Sequence, residues 1–381
     1  MTGRWLWGPG TSSPSPSAPR SSLPESTSSW GTDPHLWVTI LAGGVGSRFW
    51  PVSTPARPKQ LLPLASDRPL MQDTVGRALR LTSPERIRVL TGEHLLAPFR
   101  QVVEGLPPGA YLVEPEARGT APVLAWAAWT LHREDPEAVL VSLHADHLVE
   151  PEEAFLALLR EGTELARREG ALVTVGATPD RPETGYGYIQ PGDSIPGPPT
   201  GSAWVAAFHE KPDAVTAADY LARGFLWNTG IFLWRADVFL DEIRNHAPEV
   251  ARALPHLEGG DVAGFFRECE NISVDVAVLE RSRRVAVIPC TFRWDDVGSW
   301  ASLPRTRPAD ALGNVAVGEC HALDSHRNVV FAEGAPVVLF GVDDLIVVRT
   351  RGVTFVARAE LASELKRLVG TLPPDLQNPP V

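Results

Sequence analysis

The 381-residue chain has few cysteines and no long apolar runs, and each shortage excludes a class of protein. Cys269, Cys290 and Cys320 are widely spaced and form no CxxC pair. This argues against a disulfide framework and indicates reduced thiols in a cytoplasmic protein. No apolar run approaches the roughly 18 residues of a membrane span. The start of the chain also lacks the roughly 7–15-residue apolar stretch of a secretory signal.

Positive charge is also scarce, and lysine is the rarer of the two basic residues. The formal net charge of −11 argues against nucleic acid as a partner, because that would require a basic face. An acidic protein that binds a polyanion must concentrate its cations at the ligand. Lys59, Lys211 and Lys366 are the only lysines among 35 basic residues. Lysine is a compact point charge that arginine does not replace at a phosphate, although chance also explains so small a sample.

Short apolar runs alternate with helical stretches from residue 36 to about residue 176. This pattern predicts an α/β fold with a mostly parallel sheet covered on both faces. The predicted strands are 37–41, 87–90, 111–113, 139–141 and 172–175, and the predicted helices are 71–81, 94–104, 120–133 and 151–168. From residue 184 to 300 the pattern is mixed, and this region predicts strands near 186–189, 204–208 and 227–234 and helices near 214–222 and 236–246.

After Leu303 the sequence consists of short β runs separated by Gly and Asp turns. The predicted strands are 315–317, 329–331, 337–339, 346–348 and 354–356, closed by a helix at about 360–369. The sequence therefore predicts a small β-rich C-terminal domain. The predicted bounds are a disordered leader at 1–34, an α/β domain at 35–305, the β-rich domain at 306–371 and a tail at 372–381.

A glycine-rich segment, LAGGVGSRFWPVSTPARPKQ, begins at the end of the first predicted strand. Gly43, Gly44 and Gly46 allow a sharp turn whose successive N–H groups can hold an anion. Its G-G-x-G-x-R spacing is neither the dinucleotide fingerprint nor a Walker A motif. Three prolines between residues 51 and 58 forbid the regular helix that a dinucleotide site requires. Phosphate binding therefore fits this loop better than an ordinary turn or a dinucleotide site.

The loop resembles the signature of the sugar-1-phosphate nucleotidyltransferase superfamily, and RFWP followed by PKQ resembles its mannose-1-phosphate guanylyltransferase branch. The resemblance covers about residues 36–370, with six motifs in the expected order. It implies a Rossmann-like α/β domain of the GT-A type, Mg²⁺ as cofactor, and GTP and mannose 1-phosphate as substrates. Arg48 and Lys59 would neutralise the reacting α-phosphate and the departing pyrophosphate. The implied nucleotide-binding residues of the loop are Leu41, Ala42, Gly43, Gly44, Gly46 and Ser47.

The segment VEPEARGTAP follows the third predicted strand and begins a helix. Thr120 could cap this helix, which alone would explain the residue. The resemblance implies that the segment reads the base through Arg118, Gly119 and Thr120. The family usually has Asn at the position of Gly119.

The resemblance also implies that PETGYGYI, FHEKPD and LWNTGIFLW bind the sugar phosphate. The implied residues are Glu183, Tyr186, Gly187, Glu210, Lys211 and Asn228. Glu210 would accept hydrogen bonds from sugar hydroxyls, Lys211 would pair with the phosphate, and the Asn228 amide can both donate and accept. Simpler explanations remain open: close strand packing at Gly187, a surface ion pair at Glu210 and Lys211, and core packing of the aromatic strand.

Two separate segments carry candidate metal ligands. LVSLHADHLV ends the fourth predicted strand, where open α/β sheets bind ligands. His144, Asp146 and His147 could suggest zinc, but no third His or Cys follows nearby, and Mg²⁺ held by carboxylates and phosphates fits better beside a phosphate loop. FRWDDVGSW supplies Asp295 and Asp296, which could instead cap the following helix. The resemblance implies that Asp146 and Asp296 are the metal ligands.

The implied reaction is in-line attack by a sugar 1-phosphate oxygen, which is largely dianionic at neutral pH and needs no general base. One rival is the same chemistry on another nucleotide or sugar. A second is a catalytically silent binding homologue, against which the intact Arg48, Lys59, Asp146 and Asp296 argue. A third, an NAD-linked oxidoreductase, is disfavoured by the loop spacing. Too little sequence follows residue 370 for the isomerase domain of some family members, so we expect one activity. The β-rich domain could support a homodimer.

Overall fold

The apolar runs that alternate with helices form one nine-stranded sheet. The computed structural model describes residues 33–44 and 46–379, so the predicted leader lies outside the described residues except for its last two positions. The strands before residue 300 are β1 (Leu36–Leu41), β2 (Ile87–Gly92), β3 (Tyr111–Glu114), β4 (Val139–His144), β5 (Leu148–Glu150), β6 (Leu172–Ala177), β7 (Tyr188–Ser194), β8 (Ala203–His209), β9 (Leu226–Arg235), β10 (Val285–Pro289) and β11 (Arg293–Asp295).

The order of the strands in the sheet is β3-β2-β1-β4-β9-β6-β10-β8-β7, and β5 pairs separately with β11. β1 to β4 pair in parallel, and β6 pairs in parallel with β10. β9 lies antiparallel between β4 and β6. Only β8 shares the direction of β9, since it is antiparallel to β10 and β7. Seven of the nine strands therefore point the same way, and the predicted mostly parallel α/β fold is confirmed.

Helices cover both faces of the sheet, as the apolar pattern predicts. They are α1 (Leu70–Leu79), α2 (Glu93–Val102), α3 (Thr120–Glu134), α4 (Glu152–Glu169), α5 (Ala214–Ala222), α6 (Ala236–His246), α7 (Pro248–Ala251), α8 (Leu254–Glu258), α9 (Val262–Glu268) and α10 (Leu303–Thr306). Successive residues of β1 enter different cores: Trp37 packs with residues of α3 and α6, and Val38 packs with residues of α1, α2 and α4. Two apolar layers therefore enclose the sheet.

The sequence predicted no element between residues 247 and 290, where the structure forms α7, α8, α9, a π-helix at Asp275–Leu279 and the strand β10. The three α-helices are four to seven residues long. Segments this short complete too few turns to display a helical period. Among the described residues, no helix is long and apolar enough to span a membrane.

The C-terminal strands form two small sheets, and the first five strands along the chain alternate between them. The elements are β12 (Val315–Val317), β13 (Cys320–Leu323), β14 (Val329–Ala332), β15 (Val337–Phe340), β16 (Leu345–Arg349), β17 (Thr354–Arg358), α11 (Leu365–Val369) and α12 (Pro374–Gln377). β12, β14 and β16 pair in parallel in one sheet, and β13 pairs in parallel with β15 in the other. The predicted β-rich region and its closing helix are confirmed, whereas the parallel coiling was not predicted. The predicted boundary near residue 305 stays a prediction.

The C-terminal sheets share one apolar core with two loops of the α/β region. Phe49 and Trp50, next to the glycine-rich loop, and Trp300, next to the Asp295–Asp296 pair, pack in this core with Phe331 and Phe355. Nε1 of Trp300 donates a hydrogen bond to the backbone oxygen of Trp50 at 3.0 Å. The indole of Trp50 contacts Phe355 edge to face, with ring centroids 5.5 Å apart. Both loops therefore pack against the C-terminal region.

Candidate active site

Two adjoining cavities open at the carboxyl ends of β1 and β4, where the sequence predicts a ligand site. The loop cavity, of about 370 Å³, is lined by Gly43, Gly44, Gln60, Glu114 and Asp146 among others. The strand cavity, of about 200 Å³, is lined by Gly187, Glu210, Asn228, Asp275 and Asp296 among others. Three residues line both cavities: Leu41, Thr120 and His144. Their shared wall places the two cavities side by side.

The glycine-rich loop passes very close to the side chain of Lys59. Gly46 has φ +74°, and a Cβ atom at this position would lie 2.3 Å from Cβ of Lys59. Only glycine combines this backbone conformation with so close an approach. Gln60 donates a hydrogen bond through Nε2 to the backbone oxygen of Gly44 at 2.7 Å. The loop is therefore held against the PKQ segment.

The remaining loop residues differ in exposure. Leu41 and Ala42 are buried at the end of β1, and Gly43, Gly44 and Ser47 are exposed. Arg48 lies in the 3-10 helix Ser47–Phe49 and is exposed. It makes no hydrogen bond or ion pair with any described residue. Its guanidinium group is therefore available to an anion.

Lys59 is buried and connects the two cavities. Its Nζ lies 3.0 Å from Oδ2 of Asp146, which lines the loop cavity. Nζ also donates hydrogen bonds of 2.9 Å to the backbone oxygens of Asp296 and Val297. Burial acts to raise the pKa of Asp146, but the neighbouring groups together outweigh it, with the Lys59 ammonium the largest contributor among them, so that pKa lies below its ordinary value. Lys59 therefore holds Asp146 ionised and fixes the loop that carries Asp296.

The two adjacent aspartates have different environments. Asp295 is 6% exposed, pairs with Nε of Arg305 at 2.7 Å and accepts a hydrogen bond from the backbone N–H of Val297. Asp296 lines the strand cavity, and its Oδ1 accepts a hydrogen bond of 2.6 Å from the Tyr186 hydroxyl. Neither carboxylate caps the following helix. Of the two, only Asp296 is presented to the strand cavity.

His144, Asp146 and His147 form a group that could hold a metal ion, with one ligand atom of each within 4.8 Å of the others. However, Nδ1 of His147 lies 3.1 Å from Nε1 of Trp294, which can only donate. Nδ1 must therefore accept, and a neutral ring then carries its proton on Nε2. Burial lowers the pKa of His147 well below its ordinary value, which keeps the ring neutral. In this arrangement His147 offers no lone pair to a metal.

Carboxylate oxygens remain as the hard ligands of this region. The second oxygen of Asp146 and the second oxygen of Asp296 make no hydrogen bond or ion pair with described residues. Hard cations such as Mg²⁺ favour such oxygens, supplemented by phosphate and water. The donor set therefore fits a hard divalent cation better than zinc.

The segment after β3 forms the far wall of the loop cavity. Gly119 has φ +83°, and a Cβ atom here would lie 2.4 Å from the backbone oxygen of Ile272. This explains why glycine occupies the position. Thr120 does not cap its helix, because its Oγ1 instead accepts a hydrogen bond of 2.9 Å from the backbone N–H of Val274. Arg118 pairs with Glu116 at 2.8 Å and does not line the loop cavity.

Most of the residues predicted to bind the sugar phosphate meet at the strand cavity. Gly187 and Glu210 lie on its wall, and Lys211 pairs with Glu210 beside it. Asn228 donates through Nδ2 to Oδ1 of Asp275 at 2.8 Å and accepts a hydrogen bond from Thr174 at 2.9 Å. Glu183 is the exception.

Glu183 binds within its own loop. One carboxylate oxygen accepts a hydrogen bond of 3.1 Å from the backbone N–H of Gly185, and the other lies 3.4 Å from Nε of Arg181. It lines neither the loop cavity nor the strand cavity. The structure therefore does not bring Glu183 together with the other predicted residues.

Comparisons with known proteins identify the family. Residues 38–311 match the nucleotidyl transferase family, and residues 318–372 match the MannoseP isomerase/GMP-like beta-helix domain. The chain belongs to the nucleotidyl transferase family. It is therefore an enzyme of the class that the glycine-rich loop suggested, and the resemblance drawn from the sequence is confirmed.

Individual relatives of this nucleotidyl transferase align over most of its length. It is 37% identical to the alginate biosynthesis protein AlgA of Pseudomonas aeruginosa, over 87% of this chain and 71% of the relative. It is 36% identical to a mannose-1-phosphate guanylyltransferase of Escherichia coli, over 89% and 74%. The crystal structure of a mannose-1-phosphate geranyltransferase from Thermus thermophilus superimposes with a TM-score of 0.82 at 33% identity, covering 88% of this chain and 98% of that one.

Three residues of the nucleotidyl transferase site were missed by the sequence analysis. Gln60 ends the glycine-rich segment next to Lys59, and Glu114 lies in VEPEARGTAP four residues before Arg118. Both are polar side chains at the end of a loop or strand, which was a usable signal. Asp275 lies in the π-helix and touches Asn228, which is 47 positions away. It belongs to no motif, so the sequence offered no signal for it.

Proposed function

We propose that this nucleotidyl transferase transfers the GMP moiety of GTP to mannose 1-phosphate, giving GDP-mannose and pyrophosphate. The observation that carries the proposal is the position of Lys59 between Asp146, on the loop cavity, and Asp296, on the strand cavity. Two carboxylates fixed where two cavities meet suit a reaction between two phosphate-bearing substrates. The Escherichia coli relative named mannose-1-phosphate guanylyltransferase supports the choice of substrates.

Glu114 supports guanine as the base. It ends β3 and lines the loop cavity, and burial raises its pKa above the ordinary value. Among the described residues it has no hydrogen-bond partner. A carboxylate can accept from the N1–H and the exocyclic amino group of guanine together, which would satisfy it and favour its ionised form. Uracil and thymine offer one ring N–H at the matching edge and no amino group, so the pairing would favour GTP.

In the proposed reaction, an oxygen of mannose 1-phosphate forms a bond to the α-phosphorus of GTP. The bond from that phosphorus to the bridging oxygen of the β-phosphate breaks in line, and pyrophosphate leaves with the electron pair. The N–H groups of Gly43, Gly44 and Gly46 and the side chain of Ser47 would hold the triphosphate, and Arg48 would neutralise it. Lys211 would pair with the incoming sugar phosphate, which Glu210 and Asn228 would orient.

Mg²⁺ would be held by the second oxygens of Asp146 and Asp296. When bound, it would supply positive charge that offsets the repulsion between the two phosphate groups. Lys59 contributes by keeping Asp146 ionised and by fixing the backbone at Asp296. The tyrosine hydroxyl at Asp296 would leave one oxygen of that carboxylate for the cation.

The test is a panel of ATP, CTP, GTP, UTP and dTTP against mannose, glucose and N-acetylglucosamine 1-phosphates, with Mg²⁺-dependent pyrophosphate release as the readout. We expect the highest kcat/KM for GTP with mannose 1-phosphate. Lys366→Ala is the matched control for lysine substitutions, because Lys366 is exposed on α11. A clear preference for another pair would redirect the specificity, and no release with any pair would favour a silent binding homologue.

Three further expectations from the sequence remain predictions. We place the enzyme in the cytoplasm, since all three cysteines are free thiols. We expect a domain boundary near residue 305. We also expect a homodimer that forms through the β-rich region. Limited proteolysis and sedimentation equilibrium would test the last two.

A further inference from the structure

A third cavity, the rear cavity, lies behind the wall of the strand cavity. It has a volume of about 320 Å³, within the range of small-molecule sites. The rings of Tyr186 and Trp294 line both the rear cavity and the strand cavity, so they separate the two. Nothing in the proposed transfer reaction uses this space.

The rear cavity is rich in guanidinium groups. Arg181, Arg293 and Arg305 line it against two carboxylates, those of Asp180 and Asp295. Arg293 is ion-paired with Glu150 at 2.6 Å, so the capacity of the cavity to bind an anion rests on Arg181 and Arg305.

Two arginines of the rear cavity are anchored by carboxylates and keep further donors. Arg181 pairs with Asp180 at 2.8 Å, and Arg305 pairs with Asp295 at 2.7 Å. A guanidinium group has five N–H donors in a planar fork. Among the described residues, Nη2 of Arg181 and Nη2 of Arg305 have no hydrogen-bond partner. Both side chains are therefore held in place with donors to spare, which suits a phosphate.

Trp227 packs under Arg181 at the wall of the rear cavity. Its side chain lines the rear cavity and is 4% exposed, and no described residue accepts a hydrogen bond from its Nε1–H. A buried donor without an acceptor costs about 1–3 kcal/mol. The Arg181 guanidinium stacks over the Trp227 ring at 4.8 Å and lies 5.9 Å from the Tyr186 ring. The cavity thus combines planar cations with aromatic side chains that hold them in place.

We propose that the rear cavity binds the phosphate monoester of a ring-bearing metabolite, either a sugar phosphate or a mononucleotide. Arg181 and Arg305 would take the phosphate, and the sugar or base ring would lie against Trp294. This site is separate from the proposed sites for GTP and mannose 1-phosphate. Its existence does not depend on the identity of the transfer reaction.

The two separating rings connect this site to the catalytic region. Tyr186 donates its hydroxyl hydrogen to Asp296 at 2.6 Å, and Trp294 donates its Nε1–H to His147 at 3.1 Å. A ligand packed behind both rings restrains the Tyr186 hydroxyl on Asp296 and the Trp294 indole on His147. Bound ligand therefore changes turnover, and excess sugar 1-phosphate does not reverse the change.

Binding is tested by calorimetry without substrates or Mg²⁺, using mannose 6-phosphate, GMP and inorganic phosphate as probes. The first two probes distinguish a sugar phosphate from a mononucleotide, and inorganic phosphate measures the contribution of the anion alone. We expect at least one ring-bearing probe to bind more tightly than phosphate. Arg181→Ala should weaken that binding on the order of tenfold, the worth of one charge-assisted hydrogen bond. Arg48→Ala and Lys211→Ala, which remove the proposed contacts to the triphosphate and to the sugar phosphate, should leave it unchanged.

Trp227→Leu provides a second variant that removes the aromatic ring on which Arg181 stacks, and thermal melting verifies that each variant is folded. It should also weaken binding. In steady-state assays the binding probe should change kcat at saturating sugar 1-phosphate, and Arg181→Ala should abolish that effect. Binding lost in Lys211→Ala or Arg48→Ala but kept in Arg181→Ala would place the ligand in the catalytic cavities and overturn the proposal. Failure of all probes to bind at millimolar concentration would also overturn it.

Discussion

Nζ of Lys59 lies 3.0 Å from Oδ2 of Asp146, deep between the glycine-rich loop and the end of β4. The same ammonium donates to the backbone oxygen of Asp296, which is 237 positions away in the chain. One buried lysine therefore sets the relative positions of the two carboxylates proposed to hold the metal. It also explains the presence of a lysine here in an arginine-rich chain, since a compact ammonium reaches three acceptors that a planar guanidinium could not surround.

Replacing Lys59 tests this relationship. Lys59→Ala leaves Asp146 without its cation and frees the loop of Asp296, so kcat should fall by roughly 10²-fold or more, the scale of a lost charge stabiliser. Pyrophosphate release under saturating substrates measures the effect. Lys366→Ala should retain full turnover, and near-normal release by Lys59→Ala would contradict the role.

The adjacent aspartates should separate into a catalytic and a structural residue. Asp296→Ala should lower turnover by roughly 10²-fold with little change in melting temperature, because its side chain faces the strand cavity. Asp295→Ala removes the partner of Arg305 from a buried site and should lower the free energy of unfolding by about 2–3 kcal/mol. Urea denaturation and turnover measured on both variants provide the comparison. The reverse pattern would assign the metal to Asp295.

Glu114 should control the choice of base. In Glu114→Gln the amide keeps one acceptor and replaces the other with a donor, so it can no longer accept both guanine N–H groups. We expect kcat/KM for GTP to fall on the order of tenfold or more, the penalty for a polar group left mispaired. Activity with UTP should fall less or rise. An unchanged ratio of GTP to UTP would remove Glu114 from base recognition.

Asp275 predicts a pH dependence of stability. Burial, followed by the repulsion from Glu210, raises the pKa of Asp275 from its ordinary 3.8 to about 6, while Lys211 and Asn228 oppose the shift. The folded protein therefore binds this proton more tightly than the unfolded chain. The resulting stabilisation is fully present below about pH 4 and is lost as the pH rises through about 6, a change of about 3 kcal/mol.

Asp275→Asn should remove this dependence, because the amide cannot ionise and its oxygen can still accept from Asn228. Urea unfolding between pH 4 and pH 8 should give a flatter profile for the variant, with a gain in stability at pH 8. Parallel profiles for the variant and the wild type would show that Asp275 does not titrate in this range.

Trp300 should stabilise the two loops of the α/β region that pack against the C-terminal sheets. Its Nε1–H binds the backbone oxygen of Trp50, and its ring packs on Phe49 and Phe331. Trp300→Phe leaves that buried oxygen unpaired, so the free energy of unfolding should fall by about 1–3 kcal/mol. We also expect a severalfold loss of kcat, measured at a temperature where the variant is fully folded. An unchanged kcat would limit Trp300 to a role in stability.

The sequence predicted those parts of the site whose chemistry is local. The spacing of the glycine-rich loop indicated phosphate binding by itself, and the family resemblance of the short motifs around Lys59, Asp146 and Asp296 supplied their predicted roles. Contacts between distant segments were not identifiable, as with Asn228 and Asp275 or Trp50 and Trp300. Nor could the pattern predict that β9 enters the sheet antiparallel between β4 and β6, because an apolar strand buried on both faces reads the same in either direction.

Product analysis is the most direct test of the proposed transfer. Purified protein is incubated with GTP, mannose 1-phosphate and Mg²⁺, and GDP-mannose and pyrophosphate are quantified by ³¹P NMR. We expect equal amounts of the two products, no reaction when mannose 1-phosphate or Mg²⁺ is omitted, and loss of both products in Asp296→Ala. Consumption of GTP without GDP-mannose, or no consumption at all, would contradict it.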